Sequence, residues 1–220
     1  MYRSDIQFES ELERLFAENV MKYLDDSAQL TSQVEVDTIC GKFRLDFVVQ
    51  FKEEKCAFEC DGKEFHNAFR DEWRDAMILG AGAVDAIYRL RGSDLVYHLE
   101  DCLYIISKWN PSIFSQRGLI NLTTLASDEA RYRHFDDDVN ALVPYWKDST
   151  GPEPIFIHVE RRRRVVPDGK REFWQVEFDY ATKCGGGHLD EIIQRFRKEM
   201  YRNKVRSAAN SQKEDAHHGI

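Results

Sequence analysis

No apolar run in this 220-residue chain approaches the roughly 18 residues that a membrane-spanning helix requires. The first residues, Met1 to Asp5, open on polar and acidic side chains without the apolar stretch of a signal peptide, so a soluble, cytoplasmic protein is expected. The five cysteines (40, 56, 60, 102 and 184) are odd in number and form no C-x-x-C pair, which reads as reduced thiols and not as a disulfide framework. Twelve glycines and five prolines are too few for collagen or low-complexity disorder. There is no P-loop, no G-x-G-x-x-G and no internal repeat. Positive charge is also short: 31 Lys+Arg face 39 Asp+Glu, a net charge of −8. That balance argues against a protein that binds nucleic acid by bulk electrostatic attraction. The deficit is uneven, because residues 1–110 hold 13 basic against 22 acidic side chains and residues 111–220 hold 18 against 17.

Core material is ample at 42% hydrophobic residues, and a chain of this length can bury a core without staples. Apolar residues at helical spacing (Phe8, Leu12, Leu15, Phe16, Val20) predict a helix near residues 4–23, capped by Ser10 or Ser4. Residues 33–40, 43–51 and 55–60 alternate as strands separated by short turns, an antiparallel meander. The period then changes, and residues 67–80 predict a helix stopped by Gly80 and Gly82. Residues 84–90 read as a fourth strand, and Ser93-Asp94 caps a helix running through Ile106. The order α-β-β-β-α-β-α predicts an α/β fold with a mixed sheet flanked by helices.

The stretch that carries chemistry lies on the second and third strands. Asp46 and Glu59 interrupt strongly apolar runs, and Asp61 follows two residues later on the same face as Glu59. Alternation turns Asp46 away from Leu45 and Phe47. A hairpin centred at residues 52–53 sets Asp46 opposite Glu59, and one centred at 53–54 sets it opposite Asp61. Either register brings carboxylates within about 5 Å, where they repel unless a hard divalent cation joins them. The plainer reading of such residues is the solvated face of a half-exposed sheet.

These residues resemble the PD-(D/E)XK nuclease superfamily, and more closely the Vsr-like (very-short-patch-repair-type) endonucleases and their relatives. The resemblance covers residues 8–108. It rests on Ser10-Glu-Leu-Glu13, Gly41-x-x-Arg44-x-Asp46-Phe47, Glu59-x-Asp61-Gly62-x-x-x-His66, Arg74-Asp75 with Leu79 and Gly82, and Tyr88-Arg89. It implies an αβββαβ restriction-endonuclease-like core and a Mg²⁺- or Mn²⁺-dependent phosphodiesterase acting on DNA. By the same resemblance Asp46, Glu59 and the Cys60 carbonyl would hold the metal, with Asp61 sharing the site and Glu13 near the metal or its water. The superfamily's third-strand lysine is replaced here by Asp61. A literal D-x-K occurs one register along as Asp61-Gly62-Lys63. His66 would serve as a ligand or a proton donor, against the plainer reading of a helix-start histidine.

Residues 111–152 read as irregular. Residues 154–166 and 171–183 alternate around Pro167-Asp168-Gly169-Lys170 and predict a β-hairpin. Residues 189–205 predict an amphipathic helix with Leu189, Ile192, Ile193, Phe196 and Met200 on one face, and 207–220 a disordered tail. Residues 1–110 are thus expected as a nuclease-like domain, and 111–206 as an accessory region binding DNA, a protein partner or a second copy. Arg89 and the run Arg161, Arg162, Arg163 and Arg164 are candidate phosphate contacts, although alternation cannot send all four to one groove. Cys184 and His188 are too few for a zinc site.

Overall fold

Ser10 starts the first helix. Its hydroxyl accepts the Glu13 N–H at 3.1 Å and donates back to Glu13 Oε1, a side-chain cap that launches α1 (Glu11–Val20). The computed structural model describes residues 6–62, 68–134, 140–145, 155–165 and 173–217. After α1 come β1 (Gln29–Thr38), β2 (Gly41–Phe51), β3 (Glu54–Asp61), α2 (Ala68–Gly80) and β4 (Ala86–Arg91), in the predicted order. Two short helices follow, α3 (Gly92–Tyr97) and α4 (Leu99–Trp109), where one was expected. The break is at His98, whose φ of −141° leaves the helical region. Asp94, expected as a cap, is instead buried, accepting from Arg91 Nε and the His158 backbone N–H.

The second half departs further from expectation. Residues 111–145 are not irregular: they hold a 3₁₀ turn (Pro111–Ile113), α5 (Gln116–Leu125), α6 (Asp128–Arg131) and β5 (Asn140–Tyr145). The predicted hairpin is also corrected. Its first arm is a strand, β6 (Ile155–Arg163), but its second is a helix, α7 (Phe173–Lys183), and the supposed turn at 167–170 lies outside the described residues. β6 pairs instead with β4 on one side and β5 on the other. The last helix, α8 (Leu189–His217), runs through most of the stretch expected as a disordered tail; no Gly or Pro interrupts it before Gly219.

The six strands form one mixed sheet in the order β1-β2-β3-β4-β6-β5, with β3 and β4 parallel and every other neighbour antiparallel. Two apolar cores flank it. One joins α1, α3, α4 and α5 to Phe47, Phe58, Tyr88 and Ile157; the other joins α2, α7 and α8 to Leu45, Ala57, Ile87 and Val36. Trp73 of α2 is fully buried in the second, with the Phe196 ring of α8 at 5.0 Å. The apolar face of α8 is therefore covered within the chain by α2, although Met200 further along is exposed. Gly80, predicted as a helix stop, is the last residue of α2 and also admits α7: a Cβ there would clash with the Phe178 ring.

Leu45 and Phe47 share sequence parity yet enter opposite cores. So do Leu30 and Val36 of β1. Alternation therefore slips between them, and the expectation that Leu45 and Phe47 share a face is corrected. The slip coincides with Gln33, which has φ of 53° in mid-strand; the only other described non-glycine with positive φ, Lys52, sits in the β2–β3 turn. Pairs on both sides (Ser32↔Phe47, Val34↔Leu45) put Gln33 opposite Asp46, and the ladder skips that rung.

Candidate active site

The β2–β3 register runs from Phe51↔Glu54 to Phe47↔Phe58, which selects between the two hairpin centres; continued one residue past the end of the ladder, it brings Asp46 level with Glu59. Asp46 lies at the slip in β2, where its Oδ2 accepts the Cys60 N–H at 2.8 Å and takes the place of a ladder bond. Glu59 and Asp61 share the α2-facing side of β3 with Ala57. Glu13 approaches from α1. It is buried, and besides Ser10 its carboxylate accepts the Glu9 N–H and Gln33 Nε2, both at 2.9 Å on Oε2. Glu13, Asp46, Glu59 and Asp61 are thus gathered at one end of the sheet.

Two arginines meet these acids, and they come from α2 and β4. Arg74 Nη1 and Nη2 each donate to one oxygen of Glu59 at 3.0 Å, and Nη2 also donates to the Arg44 carbonyl. Arg89 Nη1 donates to both oxygens of Asp61, while its Nε and Nη2 clasp Asp75. Asp75 has no exposed surface and also accepts from Arg162 Nη1 at 2.8 Å. The sequence places Arg74 and Asp75 in a motif but carries no signal that one would hold Glu59 and the other two strand arginines. Gln33 had no signal at all.

Burial dominates the electrostatics. It pushes the Glu59 carboxyl up to about 7; Arg74 pulls against this and Asp46 reinforces it. Asp46 is likewise raised, first by burial and then by Glu13 and Asp61, with the Cys60 N–H opposing. In both groups desolvation outweighs the pull of Arg74.

The remaining candidates are dispersed. Lys63 and His66 lie outside the described residues. Arg89 and Arg162 are buried and committed to Asp75, so their guanidinium groups are not presented to a phosphate. Strand alternation separates the basic run as expected. Arg162 points to the α2 side, while Arg161 stacks its guanidinium 4.5 Å over Trp109 on the α4 side. The last part of the run also lies away from the acids. Arg163 is level with Ala86 and hence Cys56, five residues or roughly 16 Å along β3 from Asp61. There it lines a cleft of about 490 Å³ with Glu54, Asp85 and Trp109. Arg164 is paired with Asp85.

Mg²⁺ takes hard oxygen donors and commonly uses only one or two carboxylates with several waters. Asp46, Glu59 and the Cys60 carbonyl fit that donor set in kind. A further oxygen is at hand: Gln33 Oε1 is buried without a hydrogen-bond partner among the described residues. Among those same residues, no three His, Cys, Asp or Glu side chains form a group able to hold a metal, and Arg74 occupies both oxygens of Glu59. A cation at this end would therefore lean on waters and on release of Glu59 by Arg74. No family model, curated protein or solved structure matches the chain. None of the described helices is long and apolar enough to cross a membrane.

Proposed function

We propose that this chain is a Mg²⁺-dependent endonuclease of the PD-(D/E)XK type that hydrolyses DNA phosphodiester bonds in the cytoplasm. The observation that carries the reading is the apposition of Asp46 and Glu59 across β2 and β3, at the end of a sheet reached by the order αβββαβ. A buried Glu59 and a half-buried Asp46, both with the carboxyl raised, are poorly served as mere structure, and acids in this state mark functional sites. When bound, Mg²⁺ supplies a water of lowered pKa and positive charge at the phosphate. The chain's own residues do the rest. Asp46, Glu59 and the Cys60 carbonyl would hold the ion. Glu13 would orient its water, and the Arg74 guanidinium, a cation where the superfamily has its third-strand lysine, balances Glu59 in the resting protein.

The engagement of Glu59 and Asp61 by arginines favours one other reading, a nuclease-fold subunit that binds DNA or a protein partner without cutting. Plasmid nicking with Mg²⁺, Mn²⁺ or EDTA separates the two. Cleavage that needs the metal and is lost in Asp46→Ala supports the endonuclease. Plasmid left intact by wild type under all three conditions favours the binding subunit.

A further inference from the structure

The run from Arg161 to Arg164 has no part in the acid end. Arg162 is committed to Asp75 and Arg164 to Asp85, which leaves Arg161 and Arg163 to be accounted for. Two residues apart on β6, they project from the same face with their Cα atoms about 7 Å apart. Both line the cleft of about 490 Å³, together with Trp109, Ala86 and Val165. That is the size of a small-molecule site. Arg161 is only 7% exposed, and its guanidinium lies 4.5 Å over the Trp109 ring. Stacking of this kind fixes the guanidinium plane and with it the direction of its N–H donors. Each guanidinium carries five such donors, more than one protein partner takes up. Glu53, Glu54 and Asp85 share the walls of the cleft, but two of these acids are already held. Asp85 accepts from Arg164 on Oδ1 and from the Lys55 N–H on Oδ2. Glu54 accepts from Asn110 Nδ2 on one oxygen and from the Ser112 hydroxyl on the other. Glu53, the third, is exposed in the β2–β3 turn, where solvent screens it.

We propose that this cleft binds a phosphate monoester through the guanidinium groups of Arg161 and Arg163. A planar fork that donates two parallel N–H bonds matches two oxygens of a phosphate, and a second arginine on the same strand face meets the dianion's remaining charge. Trp109, Ala86 and Val165 give the esterified group an apolar wall, and the volume admits a ribose and a base beyond the phosphate. A free nucleotide and the 5′ end of a nucleic-acid strand present this same dianion. The cleft lies on the α4 side of the sheet, whereas Glu59 and Asp61 face α2. The inference makes no use of the acid end, so it and the endonuclease reading fail separately.

The test is isothermal titration calorimetry of the full chain in phosphate-free buffer. The probes are inorganic phosphate, adenosine monophosphate, adenosine, and one short single-stranded oligonucleotide with and without a 5′-phosphate. Wild type is expected to bind phosphate and adenosine monophosphate saturably and adenosine not at all. Arg163→Ala is expected to bind adenosine monophosphate about tenfold more weakly or worse, the scale of one lost hydrogen bond between charged partners. Arg161→Met keeps an unbranched chain against Trp109 and should lose affinity to the same degree. Arg163 is only half-buried, so its replacement decides the matter where Arg161→Met does not fold. Asp46→Ala should bind as wild type does. Tighter binding of the 5′-phosphorylated strand than of its unphosphorylated twin assigns the cleft to strand ends, and equal binding of the two assigns it to free nucleotides. Absence of saturable binding of every phosphate probe, adenosine binding as well as its monophosphate, or wild-type affinity in Arg163→Ala overturns the inference. Loss of adenosine monophosphate binding in Asp46→Ala overturns it too, by moving the ligand to the acid end.

Discussion

Arg89 grips Asp75 at two points, Nε to Oδ2 at 2.8 Å and Nη2 to Oδ1 at 2.9 Å, in a place where Asp75 has no contact with solvent. Arg162 reaches the same carboxylate from the next strand. A buried carboxylate stripped of a cation cannot be rescued by water, and such losses cost about 3–5 kcal/mol. Arg162→Ala leaves Asp75 to the Arg89 clasp, so it should cost less than a full loss of counter-charge, about 1–3 kcal/mol. Arg164→Ala removes a half-exposed pair with Asp85 and should cost under about 1 kcal/mol. Urea unfolding of the two variants checks the contrast; equal losses would mean that the Asp75 cluster does not bear on stability.

Gly80→Ala is a contest between propensity and space. Alanine in an ordinary helix position is favoured over glycine by about 1 kcal/mol. Here the new methyl meets the Phe178 ring, and forcing atoms into a packed interface costs typically 1–3 kcal/mol. The net expectation is destabilisation by roughly 0–2 kcal/mol. In a Phe178→Ala background the sign should reverse. A double-mutant cycle measured by denaturant unfolding reads the coupling directly.

Glu177 on α7 is buried, and its Oε2 has no hydrogen-bond partner among the described residues. Burial first, then repulsion from Glu72, pushes its carboxyl up to about 8 from an ordinary 4.5, although Arg162 opposes. Between these values the folded chain holds a proton that the unfolded chain has lost. Stability from this group is therefore greatest below about pH 4.5, falls as pH rises and stays low above about 8. Glutamine mimics the protonated form, so Glu177→Gln should gain about 2–4 kcal/mol at pH 9 and roughly nothing at pH 4. Melting curves of both proteins across that range are the measurement, and a gain that did not depend on pH would remove Glu177 titration as the cause.

Much of the acid end was legible because it depends on local pattern. A two-residue turn between apolar strands leaves few registers, and one of the two anticipated puts Asp46 opposite Glu59. What escaped was set by tertiary contact. Trp174, Glu177, Phe178 and Ala181 lie at helical spacing on α7, but Glu177 put a charge in that stripe, and the neighbouring alternation of apolar and polar residues imitates a strand. Pro144 hid β5, since proline is poorly suited to sheet interiors; it is tolerated because β5 is the outermost strand. The face slip was hidden too, because it depends on the backbone of Gln33, a residue type that gives no hint of positive φ.

Pairing between β4 and β6 has a consequence for anyone dividing the chain. The acids, their arginines and the resemblance all fall before residue 110, which invites a short expression product. Such a fragment would uncover the β4 edge from Ala86 to Leu90, a row of apolar residues broken only by Arg89. Unprotected strands of that kind recruit other copies of themselves. It would also remove Arg162 from Asp75 and the cover that α7 and α8 give to Trp73. We expect residues 1–110 alone to aggregate, where the full chain stays dispersed in light scattering. The half that looks dispensable on paper is the casing that keeps the other half from sticking to itself.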